Sequence, residues 1–112
     1  MARANKCLVC SPKICAPHWL YVVEDPSRGL SKIGISRAIA ARLSTYRKRG
    51  SVPDVILHVK LEQSCEFRAL ILEEKAHRRM DKKYRRVRGD WYDAPVAASI
   101  AALKPISRGN QI

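Results

Sequence analysis

Acid is what this chain is short of: ten Asp and Glu stand against 22 Lys and Arg, leaving a net charge of +12. An imbalance of that size speaks to partners and solubility rather than to fold. An acidic polymer is the natural partner, and nucleic acid is the commonest one. Long apolar runs are also missing: no stretch approaches the roughly 20 residues of a membrane span, and no hydrophobic leader opens the chain. A membrane-surface role would call for a basic amphipathic helix with a broad apolar face, or a lipidation signal, and neither is found. Internal repeats and low-complexity tracts are absent. The expectation is a soluble, cytoplasmic protein with no membrane partner. At 112 residues there is no room for a second core of useful size. A domain this small buries only about 60–65% of its unfolded surface, so an added staple would help.

A candidate staple sits at the start. Of four cysteines, Cys7, Cys10 and Cys15 crowd the first fifteen residues. Without an export signal they are expected to be reduced, which argues for metal over disulfides. Cys7 and Cys10 form a C-x2-C pair, and Cys15 with His18 forms C-x2-H. Together they would close a tetrahedral Cys3His zinc site, a knuckle tucked onto the first strand. A full four-ligand shell leaves no position for water, so such zinc is structural, supplying folding energy that packing cannot. The plainer alternative is a tail of free thiols with His18 on the surface. Cys65 stands apart in a helical stretch, either as a buried thiol or as a replacement for His18.

Regular structure is expected from Trp19. Trp19-Leu20-Tyr21-Val22-Val23 is aromatic and β-branched, as strands prefer, and Leu30 to Ile35 returns as its hairpin partner across the Asp25–Gly29 turn. Ile39, Leu43 and Tyr46 place one face of a helix over about 37–49. Val55, Leu57, Val59 and Leu61 alternate as the inner face of a third strand. A long helix over about 64–84 carries Ala69, Leu72, Ala76 and Met80 in one stripe, widened by Phe67, Leu70 and Ile71. Asp90-Trp91-Tyr92 reads as an edge segment. A last helix capped by Asp93 and stopped by Pro105 buries Val96, Ile100 and Leu103. The predicted order ββαβαα is an α+β fold: a small antiparallel three-stranded sheet flanked by helices, with the zinc knuckle in front. The expected divisions are knuckle 1–18, folded domain 19–104 and flexible tail 105–112.

Some polar residues are left unexplained by that core. Glu73 falls on the apolar stripe of the long helix, where a carboxylate needs a partner, and His77 follows four residues on. That pair alone could simply satisfy itself. Tyr21 and Lys32 lie on the neighbouring strands, and Arg42 projects from the first helix beside Leu43. Convergence of a phenol, an ammonium, a guanidinium and a carboxylate would suit phosphodiester hydrolysis. The carboxylate holds a divalent cation, the phenol helps activate water, and fixed cations stabilise the transition state.

Leu20-Tyr21, followed by Lys32-Ile33-Gly34, resembles the paired strand motifs of the GIY-YIG nuclease superfamily. Arg42 is similar to its helical arginine and Glu73 to its metal-binding glutamate. The "KIG" form, the Glu73-x3-His77 helix and Gly89-Asp90-Trp91-Tyr92 are similar to a branch common in phages, and the likeness covers about 19–103. It implies a metal-dependent DNA endonuclease, probed most directly by plasmid nicking. Tyr21 would act as general base or its helper, Arg42 would contact the scissile phosphate, Glu73 would bind Mg2+ or Mn2+, and His77 would assist as proton donor or base. Trp19 replaces the glycine of the first motif and Lys32 the first tyrosine of the second. A lysine there is expected to lower the pKa of Tyr21.

The one-sided run Lys75 to Arg88 contains Arg78, Arg79, Lys82, Lys83, Arg85 and Arg86, opposed by Asp81 alone, and Arg47, Lys48 and Arg49 form a second cluster. Solvated faces usually mix signs, so these residues are assigned to DNA, branched or single-stranded forms included. Trp91 is expected in the core. A dimer would suit cutting of both strands. Two other readings stay open: a DNA-binding module of the same fold without cleavage, and an adaptor for an acidic protein.

Overall fold

The computed structural model describes residues 17–109, with side chains through 103. Eight elements follow in order: β1 (His18–Asp25), β2 (Leu30–Ser36), α1 (Ile39–Lys48), β3 (Ile56–Gln63), α2 (Glu66–Asp81), β4 (Arg86–Arg88), β5 (Trp91–Tyr92) and α3 (Val96–Gly109). The strands form one antiparallel sheet in the order β3-β1-β2-β5-β4. Five strands thus replace the three expected. The two additional strands span three and two residues, too short for alternation to register against the surrounding arginines. Trp91-Tyr92 is interior to the sheet and β4 takes the edge. Gly89, at φ +57°, makes the tight reversal between them, a backbone region that costs glycine nothing.

Two layers cover the sheet. On one face Leu20, Val22, Ile33 and Tyr92 pack with Ala76 and Met80 of α2 and Ala102 and Leu103 of α3. On the other, Tyr21, Val23 and Trp91 meet Tyr46 of α1 together with Val52 and Val55. β1 therefore lies between two strands and under helices on both sides. That is why Leu20-Tyr21-Val22-Val23 is an unbroken apolar run with all four side chains at most 2% exposed.

Several local expectations are corrected. Leu57 and Val59 do not share a face: the register against β1 shifts between Val22 and Val23, pairing Val22 with Val59 and Val23 with Leu57. His58 is the extra residue of this bulge, and the strand's inner face changes side across it. Phe67, Leu70 and Ile71 do not widen the α2 stripe; they are 43%, 45% and 37% exposed. At about 100° per residue, Phe67 and Ile71 point roughly opposite to the Ala69–Ala76–Met80 line. The α3 backbone stays helical to Gly109, past Pro105, although proline forfeits one hydrogen bond there. Of the zinc-ligand candidates only His18 lies within the described residues, buried at the start of β1; Cys7, Cys10 and Cys15 lie outside them. Cys65 is buried immediately before α2. Among the described residues, no helix is long and apolar enough to cross a membrane.

Candidate functional site

Tyr21 occupies the centre of β1, paired with Gly34 of β2 and Lys60 of β3. Its ring fills the space a side chain at position 34 would need: a Cβ there would lie 2.6 Å from the phenol oxygen and 2.7 Å from Cζ. The phenol is hydrogen-bonded to that of Tyr46, which reaches across from α1. Their rings meet edge to face at 6.4 Å, and Tyr46 meets Trp91 likewise at 5.7 Å. Lys32 lies with its Nζ 5.0 Å above the Tyr46 ring and 6.0 Å from that of Trp91. The ammonium is thereby held over the ring of the second phenol.

Electrostatics tie two more of the predicted residues, Arg42 and Glu73, to this phenol. Burial, then the Tyr46 phenol, pushes the Tyr21 pKa well above the ordinary tyrosine range; the Arg42 guanidinium opposes the shift and the Glu73 carboxylate adds to it. Tyr21, Arg42 and Glu73 therefore share one electrostatic environment although they come from β1, α1 and α2. The expected lowering of the Tyr21 pKa is overturned, because desolvation outweighs the nearby positive charge. Exposed Arg42 also lines a cleft of about 560 Å³ with His18, Ser36, Arg37 and Glu66. Arg37 and Arg42 put two guanidiniums on its wall, with the Glu66 carboxylate also lining it.

His77 stands one turn beyond Glu73, its Nε2 3.6 Å from the Glu73 carboxylate. Its ring stacks on Tyr92 at 5.6 Å, and its Nδ1 lies 2.8 Å from the Tyr92 hydroxyl. That hydroxyl donates to Asp81 at 2.9 Å, and Asp81 accepts both Nε and Nη2 of Arg86 at 3.0 Å. Arg86 also donates to Asp90 at 2.8 Å and lies 5.3 Å from the Tyr92 ring. Hydrogen bonding from Arg86 holds the Asp81 carboxyl below its usual range, while burial raises the Tyr92 phenol. Glu73, His77, Tyr92, Asp81 and Arg86 thus form one polar chain running out to the sheet edge. Among the described residues, no group of three or more His, Cys, Asp or Glu is placed to hold a metal. Glu73 and His77 offer a pair.

The basic residues divide. Arg86 is engaged by two carboxylates, Arg79 donates to the Ala102 carbonyl at 3.0 Å, and Arg78 pairs with Glu74 at 3.3 Å on the surface. Lys82, Lys83 and Arg85 are exposed at the end of α2. Arg88 donates to the Gly50 carbonyl at 3.1 Å and Arg28 to that of Ser51 at 3.3 Å. These two contacts bring Arg88 of β4 and Arg28 of the hairpin turn beside the exposed Arg47, Lys48 and Arg49.

Four partners escaped the sequence reading. Tyr46 was assigned to the apolar stripe of the first helix, yet a phenol four residues past Arg42 shares its face and requires a hydrogen-bonding partner. Lys60, on the outer face of the third strand, proves to be the cross-strand neighbour of Tyr21, with its Nζ 5.0 Å above the Trp19 ring. Asp81 stands in the sequence only as the lone acid of a basic run. Tyr92 and Trp91 are both buried, as core assignment of Trp91 anticipated, but the Tyr92 hydroxyl carries the His77 contact.

No curated protein and no solved structure matches the chain. The T5orf172 domain, a phage-associated domain related to nuclease-type folds, matches residues 18–107, from the start of β1 through all but the last two residues of α3. The chain belongs to the T5orf172 domain family.

Proposed function

We propose that this protein is a metal-dependent DNA endonuclease of the GIY-YIG kind, phage-encoded and acting in the host cytoplasm. The observation that supports the reading is that Arg42 of α1 and Glu73 of α2 both act electrostatically on the Tyr21 phenol of β1. Glu73, partly exposed with the His77 imidazole beside it, has the donor chemistry for a divalent ion such as Mg2+ or Mn2+. When bound, such an ion supplies a more acidic water and offsets charge on the phosphate. Arg42, on the cleft wall, would contact the scissile phosphate.

Tyr21 holds its proton firmly. Its role is therefore to orient a water and relay a proton through the Tyr46 hydroxyl, not to stand as a phenolate. Tyr46 takes over the second-phenol position that Lys32 vacates in the sequence motif. Lys32, fixed over Tyr46, contributes positive charge behind that pair. Arg47, Lys48 and Arg49, with Lys82, Lys83 and Arg85, would carry the DNA backbone. A structural zinc held by Cys7, Cys10, Cys15 and His18 completes the reading, and a zinc measurement on purified protein tests it directly.

Nicking of supercoiled plasmid with Mg2+ or Mn2+ is the decisive assay. Glu73→Ala and Arg42→Ala are each expected to cost about 100- to 1000-fold in cutting while DNA binding persists. An intact protein that never nicks with any divalent metal refutes the enzymatic reading. The burial of Tyr21 favours one alternative, a DNA-binding module without cleavage, which that negative result together with salt-sensitive DNA binding would support.

A further inference from the structure

The chain of hydrogen bonds behind Glu73 has a consequence for metal binding, and it rests on the metal-dependent reading above. We propose that His77 Nε2 is a second protein ligand of the ion carried by Glu73, and that Tyr92, Asp81 and Arg86 hold the imidazole in the tautomer able to bind it. Proton counting leads there. The Tyr92 hydroxyl has one hydrogen and three candidate acceptors within reach: His77 Nδ1 at 2.8 Å, the His77 carbonyl at 3.3 Å and the Asp81 carboxylate at 2.9 Å, of which only the carboxylate is anionic. The anionic, closer oxygen takes it. The phenol oxygen can then only accept from the ring nitrogen 2.8 Å away, so the neutral imidazole carries its hydrogen on Nδ1. Nε2 is left with its lone pair, directed to the side where Glu73 Oε2 lies 3.6 Å off.

Two donors about 2.1 Å from one divalent ion stand roughly 3.0–3.4 Å apart, so a 3.6 Å separation lets an ion enter after a small side-chain adjustment. Outer partners that fix a ligating histidine this way raise its basicity and set its orientation. Arg86 anchors the outer end through both oxygens of Asp81. Tyr92 is fully buried and His77 nearly so, while the side chains of Asp81 and Arg86 are 46% and 38% exposed, so the relay runs from the packed sheet–helix junction out to the surface. An imidazole donor moves the preference of the site from Mg2+ towards Mn2+ and later transition ions.

The test uses the full chain and reads Mn2+ binding from the free-ion electron paramagnetic resonance signal. Glu73→Gln is expected to abolish specific binding, His77→Gln to weaken it 10- to 100-fold, and Tyr92→Phe, which keeps the packed ring, to weaken it about 10-fold. Thermal unfolding of each variant shows whether it folds. Ring 15N–1H spectra of the unsubstituted protein supply an arm that needs no variant. His77 should carry its hydrogen on Nδ1, and Mn2+ should broaden its ring resonances before those of His58, which is paired with Glu24. Wild-type Mn2+ affinity in His77→Gln, or a hydrogen on Nε2 in the free protein, overturns the proposal. If Glu73→Gln also leaves Mn2+ binding intact, the metal-dependent reading itself falls.

Discussion

Gly34→Ala isolates the packing on which the site depends. Two effects compete. Replacing glycine inside a strand relieves an entropic penalty of about 0.5–1 kcal/mol, which favours alanine. Against it, the new Cβ would lie 2.6 Å and 2.7 Å from the oxygen and Cζ of Tyr21, distances that real Cβ atoms do not tolerate. The ring has little freedom to yield: it is 2% exposed, with Tyr46 bound to its hydroxyl. Overpacking of that kind costs about 1–3 kcal/mol, so the clash wins and the net loss should be about 1–2 kcal/mol. For a domain of this size that lowers Tm by about 4–15 °C. Urea unfolding of the wild type, Gly34→Ala, Tyr21→Ala and the double variant measures the coupling. In the Tyr21→Ala background the alanine at 34 meets open space and should be neutral or stabilising. That gives a coupling energy of at least about 1 kcal/mol. Gly34→Ala as stable as wild type, or equal costs in both backgrounds, would refute the reasoning that this glycine is required by the tyrosine ring.

Further outcomes follow from the charges. Unfolded phenols ionise near pH 10, whereas Tyr21 and Tyr92 ionise higher when folded. Their contribution to stability is complete below about pH 10 and is lost as pH rises towards the folded values, so Tyr21→Phe and Tyr92→Phe should each flatten the alkaline limb of a Tm-against-pH curve. Asp81 shifts the other way: its stabilisation is present above the ordinary aspartate pKa and fades as pH falls through the lower folded value. Asp81→Asn should therefore remove part of the acid-side loss below about pH 4, and an unchanged acid limb would count against the Arg86–Asp81 pairing. DNA binding through about six phosphates should show log affinity falling against log salt with slope near −5. Removing Arg47, Lys48 and Arg49 together should reduce that slope to about −3; an unaltered slope would place the DNA elsewhere.

Elements with strong local periodicity were legible in the sequence. β1, β2, α1 and α2 each appear within a few residues of their expected bounds. What escaped depends on tertiary information. The bulge at His58 divides Leu57 from Val59 although their alternation is perfect, because register is set by the neighbouring strand. β4 and β5 are too short to carry a period and exist through pairing with β2. The Tyr21 pKa moved opposite to expectation because adjacency to a lysine was visible in sequence and depth of burial was not. Partnership of Asp81 with Tyr92 joins residues eleven apart across a helix end and a turn, beyond any helical spacing rule.

Among the described residues the sheet ends in two unpaired borders, and both are defended. Arg86, Val87 and Arg88 form one, all exposed; Ile56, His58, Lys60 and Glu62 project from the other, with a bulge between them. Charged groups and an irregular ladder keep open strands of separate molecules from joining. A bound polyanion that cancels the arginine charge removes much of that barrier on the β4 side. Precipitation or clustering of this protein is then to be looked for near charge equivalence with DNA, where protein alone would stay dispersed.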